Sequence, residues 1–172
     1  MRYSFSVAFA GLAAASPAAA AGIDVTVTIP QLKVAEYHRP YIAFWLEQPG
    51  RPTATNLALW YDNDKKDNEG TKWLRDVRTW WRKAGRSLKL PADGLTGATR
   101  APGPQRISFE EGKGSLGKLA PGNYVLMIEA AREVGGREVL KLPFTWPAKG
   151  AAQTVRAAGA TELGAVTAVI RP

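Results

Sequence analysis

LAPGNYVLMIEAAREVGGREVLKLPFTW, residues 119–146, reads as two antiparallel strands around one tight turn. Pro121-Gly122 opens the stretch with a turn, and the apolar, β-rich run VLMIEA follows as a strand. Val134-Gly135-Gly136 is the hairpin turn, and REVLKLPFTW (Arg137 to Trp146) brings the chain back. Tyr124, close behind the Pro-Gly turn, suits a tyrosine corner, in which the phenol bonds to backbone just upstream.

The same grammar extends outward. IDVTVTI (Ile23 to Ile29) alternates apolar and polar residues, the signature of a half-buried strand. YIAFWLEQ (Tyr41 to Gln48) and NLALWYD (Asn56 to Asp62) are further strands, and RISFEE (Arg106 to Glu111) and the C-terminal GAVTAVIRP complete the set. KGAAQTVRAAGAT, rich in small residues, reads as a loose connection. One segment carries a helical period. In TKWLRDVRTWWRKAG, Trp73, Leu74, Val77, Trp80 and Trp81 fall on one face, basic residues cover the rest, and Gly85 offers a left-handed cap. Seven or so strands with one inserted amphipathic helix, about residues 71–84, predict a mainly β fold. The expected form is an immunoglobulin-like antiparallel β-sandwich, without the Cys-Trp-Cys hallmark of antibody domains.

The 172 residues suit one domain, expected over residues 21–172. The first 20 read as a secretory signal peptide: Arg2, an apolar run from Phe5 to Ala15, then Ala18-Ala19-Ala20 or Ala19-Ala20-Ala21 before the cut. That run is too short to span a membrane, and no later segment is apolar enough. The absence of cysteine excludes disulfides, thiolate metal sites and a lipid-anchoring Cys. A periplasmic location follows, with stability resting on a hydrophobic core. The net charge of +8 attracts anions and acidic partners. Export argues against nucleic acid as the partner.

Several chemistries lack their residues. Asp62, Asp64 and Asp67 do not follow a calcium loop, because position 5 is Lys66, position 6 is Asp67 and position 12 is Trp73. His38 is the single histidine, too few for a zinc site; a haem role with Met127 ranks last, since Met127 sits in an apolar strand. No nucleophile elbow, P-loop or dinucleotide fingerprint occurs.

PADGLTGATRAPG, residues 91–103, is punctuated too densely by Gly and Pro for a helix or a core strand, and a surface loop over about 91–104 is expected. A plain turn is one account of it. The other is that Asp93-Gly94-Leu95-Thr96-Gly97-Ala98-Thr99 resembles the Asp-Gly-x-Ser/Thr-Gly-Ala-Ser/Thr motif read by FAD:protein FMN transferase. The chain as a whole looks like a family of predicted periplasmic proteins of unknown function. The pieces that carry this likeness are KWLRDVRTWWRK, DGLTGATR and PGNYVLMIEA.

The motif resemblance implies FMN held covalently on Thr99 through a phosphodiester, with Mg²⁺ needed only during transfer. Gly94, Gly97 and Ala98 would let the transferase approach closely. Asp93 would orient the loop or contact the transferase. Thr96 would make a local turn bond, and Arg100 would pair with the phosphate. Trp73, Trp80 and Trp81 are candidates to pack on the flavin. The function implied is an electron carrier between a membrane-bound reductase and a periplasmic acceptor, itself without catalysis. The alternative is a non-redox binding module for an anionic or acidic partner.

Overall fold

The computed structural model describes residues 20–172. The expected signal peptide, residues 1–20, lies outside the described residues apart from Ala20. The described residues form nine strands: β1 Gly22–Ile29, β2 Tyr41–Glu47, β3 Ala54–Tyr61, β4 Thr96–Ala98, β5 Gly103–Glu110, β6 Gly122–Ala131, β7 Arg137–Trp146, β8 Gln153–Ala158 and β9 Ala165–Arg171. They build two sheets, in the orders β5-β1-β9-β8 and β4-β3-β2-β6-β7. Every pairing is antiparallel except β3 with β4. The protein is a mainly β sandwich, as its alternating strands predict.

Side-chain period sets the packing. Ile23, Val25, Val27 and Ile29 of β1 all point into the space between the sheets, where they meet Phe44, Leu126, Ile128, Leu142 and Ile170. Strand β2 is apolar without alternation because both its faces are covered. Ile42, Phe44 and Leu46 join the inter-sheet core. Tyr41, Ala43 and Trp45 face a second cluster with Leu59, Tyr61 and Met127, roofed by Leu74, Val77 and Trp80. Met127 is thus core. At the 119–124 turn, the Tyr124 hydroxyl donates to the Ala120 carbonyl at 2.8 Å, the bond of a tyrosine corner.

Three segments differ from expectation. The amphipathic helix is not continuous: the chain makes 3₁₀ turns over Lys66–Asp76, one α turn over Arg78–Trp80 and a π turn over Trp81–Gly85. Asp67 and Asn68 take left-handed φ values of 56° and 55°, and Val77, at φ −76° and ψ 67°, breaks the helix again. The segment is held by the sheet instead. Buried Glu129 of β6 accepts from the Thr79 and Trp80 amides at 3.0 and 2.7 Å and from Arg137 Nε. Gly85 is no left-handed cap, because its φ is not positive; its α-carbon instead lies so close to the Trp80 ring that a Cβ would come within 2.6 Å of it.

Secondly, KGAAQTVRAAGAT contains β8, an edge strand whose small residues hide a strand signal that only its pairing with β9 supplies. Thirdly, the 91–104 loop contains β4, three residues added in parallel to β3.

Candidate functional site

The Asp93–Thr99 motif forms the outer edge of the five-stranded sheet. Two turns of hydrogen bonding lead into it. The Leu95 and Thr96 amides both donate to the Ala92 carbonyl, and the Thr96 hydroxyl donates to the same carbonyl at 2.9 Å while accepting from the Ala92 amide at 3.2 Å. Gly94 has φ +70°, which a turn at this place needs a glycine to adopt. The Leu59 amide then donates to the Leu95 carbonyl at 2.8 Å, and Thr96, Gly97 and Ala98 run beside Leu59, Trp60 and Tyr61. Asp93, Gly94, Ala98 and Arg100 are exposed, and Thr96, Gly97 and Thr99 are half-buried.

Parallel pairing brings Thr99 to the residue that follows β3. Its hydroxyl donates to Asp62 Oδ1 at 3.2 Å, and Lys65 pairs with the other carboxylate oxygen at 3.3 Å. Thr99 and Asp62 lie in a cleft of about 260 Å³ together with Tyr37, His38, Tyr41 and Trp73. Arg39, Asp76 and Glu133 bring charge to the same cleft. His38 sits between Glu36 and Glu133, at 3.2 and 3.7 Å. Burial pushes the Tyr37 hydroxyl above the ordinary phenol range, with Arg132 opposing, and burial does the same to Tyr41. Both phenols therefore stay protonated at neutral pH. Tyr41 donates to the Gly70 carbonyl at 3.1 Å.

Arg100 turns the other way. Its guanidinium carbon lies 5.3 Å from the centre of the Trp60 ring, a cation–π contact, and it borders a separate open cavity of about 470 Å³ beside Gly94, Thr96 and Gly97.

The three candidate tryptophans part company. Trp80 is 1% exposed and its Nε1 donates to Asn56 Oδ1 at 2.7 Å, so it belongs to the core and offers no face to a ligand. Trp81 is half-buried and borders a different cavity with Leu88 and Leu90. Trp73 alone of the three lines the Thr99 cleft, and it is 42% exposed. The shared helical face dissolves because the helix is broken. Met127, buried in the second core, does not line the cleft that holds His38. Among the described residues no group of three or more His, Asp or Glu is placed to hold a metal ion.

Residues 22–165, most of the chain, match the family of predicted periplasmic proteins designated DUF2271. The chain belongs to that family. The description of DUF2271 agrees with the leader-like N-terminus, and the protein is periplasmic. No helix among its described residues is long and apolar enough to cross a membrane. No curated protein and no solved structure matches it. Sequence patterns do not mark Asp62, His38 or Tyr37 as parts of the Thr99 cleft: the calcium spacing fails around Asp62, and a lone histidine lacks metal partners. They come from two connections that are distant from the motif in sequence, and only the sheet brings them to Thr99.

Proposed function

We propose that this protein is a periplasmic electron carrier with FMN joined to Thr99 through a phosphodiester. The observation that carries this reading is Gly97. Its φ is not in the left-handed region, and an added Cβ would meet only the Trp60 ring, Cδ1 at 3.5 Å and Nε1 at 3.9 Å, both ordinary contacts. The fold itself has room for a side chain at this position. A transferase that must lay a phosphoryl group against Thr99 does not, so the bare backbone serves an outside reader. Gly94 carries no such weight, since its φ of +70° already accounts for it.

The placement of the motif adds support. A three-residue edge strand is the least costly part of a sheet to present or release. In the attachment step, Thr99 Oγ1 forms a bond to the flavin-side phosphorus of FAD. The pyrophosphate P–O bond breaks, AMP leaves with that bond's electron pair, and a base of the transferase takes the threonine proton. Mg²⁺ neutralises the phosphoryl oxygens. Asp62 fixes the direction of the Thr99 hydroxyl beforehand.

Once attached, FMN supplies one- and two-electron redox chemistry, and the covalent link retains it in a compartment from which free cofactor is lost. The partners on this reading are the FAD:protein FMN transferase, a membrane-bound reductase and a periplasmic acceptor. The test is the intact mass of the protein purified from cells co-expressing the transferase. A gain of FMN less one water, mapped to the peptide holding Thr99, supports the carrier. An unmodified chain, alongside a control substrate modified in the same cells, overturns it and leaves the motif as a turn.

A further inference from the structure

We propose that the cleft between Trp73 and Tyr37 is the seat of the flavin ring, with the Trp73 indole as its stacking face and the Tyr37 hydroxyl as its hydrogen-bond donor. This rests on FMN being attached at Thr99.

Two features of the cleft are unexplained by the fold. The Tyr37 hydroxyl oxygen is buried without a hydrogen-bond partner among the described residues. Buried polar atoms are nearly always paired, and an unpaired one needs an account. Trp73 is the second. Trp45, Trp60, Trp80 and Trp146 are at most 3% exposed, whereas Trp73 is 42% exposed and borders the same cleft. A large exposed aromatic beside a polar cleft is the usual furniture of a site for a planar ligand. A flavin ring answers both features: its broad π face suits the indole, and its carbonyl and ring-nitrogen acceptors suit the phenol once that side chain, whose oxygen has no accessible surface here, turns into the cleft.

Size fits a partial seat. A cleft of about 260 Å³ falls just below the roughly 300–1,000 Å³ of pockets that enclose a whole drug-sized ligand. It therefore seats part of the FMN and leaves an edge open for electron exchange. Arg39 and Lys65 set positive charge against the carboxylates of Asp62, Asp76 and Glu133, so the cleft suits the uncharged flavin ring rather than its phosphate. Arg100 faces the other cavity and holds Trp60 instead.

The experiment uses the full chain loaded by the co-expressed transferase, with loading fixed by intact mass. In the wild type, flavin fluorescence should be strongly quenched and poorly reached by iodide. Trp73→Leu should brighten it severalfold at equal loading, while Trp81→Leu, on the other cavity, should not. Tyr37→Phe should shift the visible absorption bands. Full loading with bright, iodide-accessible flavin in the wild type overturns the seat and leaves the Thr99 attachment standing. The iodide measurement needs no variant, so a misfolded Trp73→Leu protein does not rescue the proposal. Absence of any mass gain in the wild type removes both readings.

Discussion

The Thr99 hydroxyl donates to the Asp62 carboxylate at 3.2 Å, across 37 positions of chain. The pair exists because β4 runs parallel to β3, so that the residue just after each strand lies beside its counterpart. It links the motif to the loop that leads into the helical turns. There Gly70 lies against the Asp62 carbonyl so closely that a Cβ would come within 2.0 Å of it.

Thr99→Val should remove flavin attachment completely while the protein folds as before. Only one hydrogen bond to a partly exposed carboxylate is lost, so stability should move by no more than about 1 kcal/mol. Thr99→Ser keeps the hydroxyl and should still be loaded. Intact mass and a urea titration read both quantities; covalent flavin in the valine variant would sink the assignment.

Gly94→Ala and Gly97→Ala separate fold from recognition. At Gly94 the left-handed backbone should cost about 1–2 kcal/mol although open space surrounds it. At Gly97 the backbone is ordinary, so stability should stay within about 0.5 kcal/mol while loading by the transferase falls sharply. Thermal melts and mass spectra on the same samples give the comparison. Full loading of Gly97→Ala would remove the chief support for the carrier reading.

Glu129 pins the broken helical segment. Replacing it with Ala leaves the Thr79 and Trp80 amides and the Arg137 guanidinium without their shared acceptor. A cost of about 3 kcal/mol is expected, at the lower end for a broken buried pair because Arg137 is partly exposed. A loss under about 1 kcal/mol in urea unfolding would show that packing of Leu74, Val77 and Trp80 holds the segment unaided.

Glu138 gives a pH signature. Burial alone would raise its pKa, but the amides of Ala160, Leu163 and Thr161 donate to the carboxylate and hold it below the usual 4.5. A depressed folded-state pKa means stability that is present above the unfolded value and lost as pH falls through the folded one. Wild type should therefore exceed Glu138→Gln in stability near about pH 6, and the gap should narrow as pH falls below 4.5. A gap that is unchanged across that range would contradict the role given to these hydrogen bonds.

Legibility followed the range of the forces involved. The period of two in β1, the unbroken apolar run of β2 and the Val134-Gly135-Gly136 turn are local signals, and each produced the element it predicts. The 3.6-residue period around Trp73 picked out Leu74, Val77 and Trp80, which are indeed buried, yet the regular helix it implies does not form. Its shape is imposed by Glu129, some 50 residues away. In the same way β8, which small residues leave unmarked, exists only through β9.

By itself the sequence determined the layered β fold, the periplasmic family and the position of the one seven-residue motif, because strand period and short motifs are written in neighbouring residues. Only the tertiary structure decided what surrounds Thr99. Asp62 reaches it through strand pairing, which joins residues by register across a sheet rather than by distance along the chain, and Tyr37, His38 and Trp73 come to the same cleft from segments between the strands.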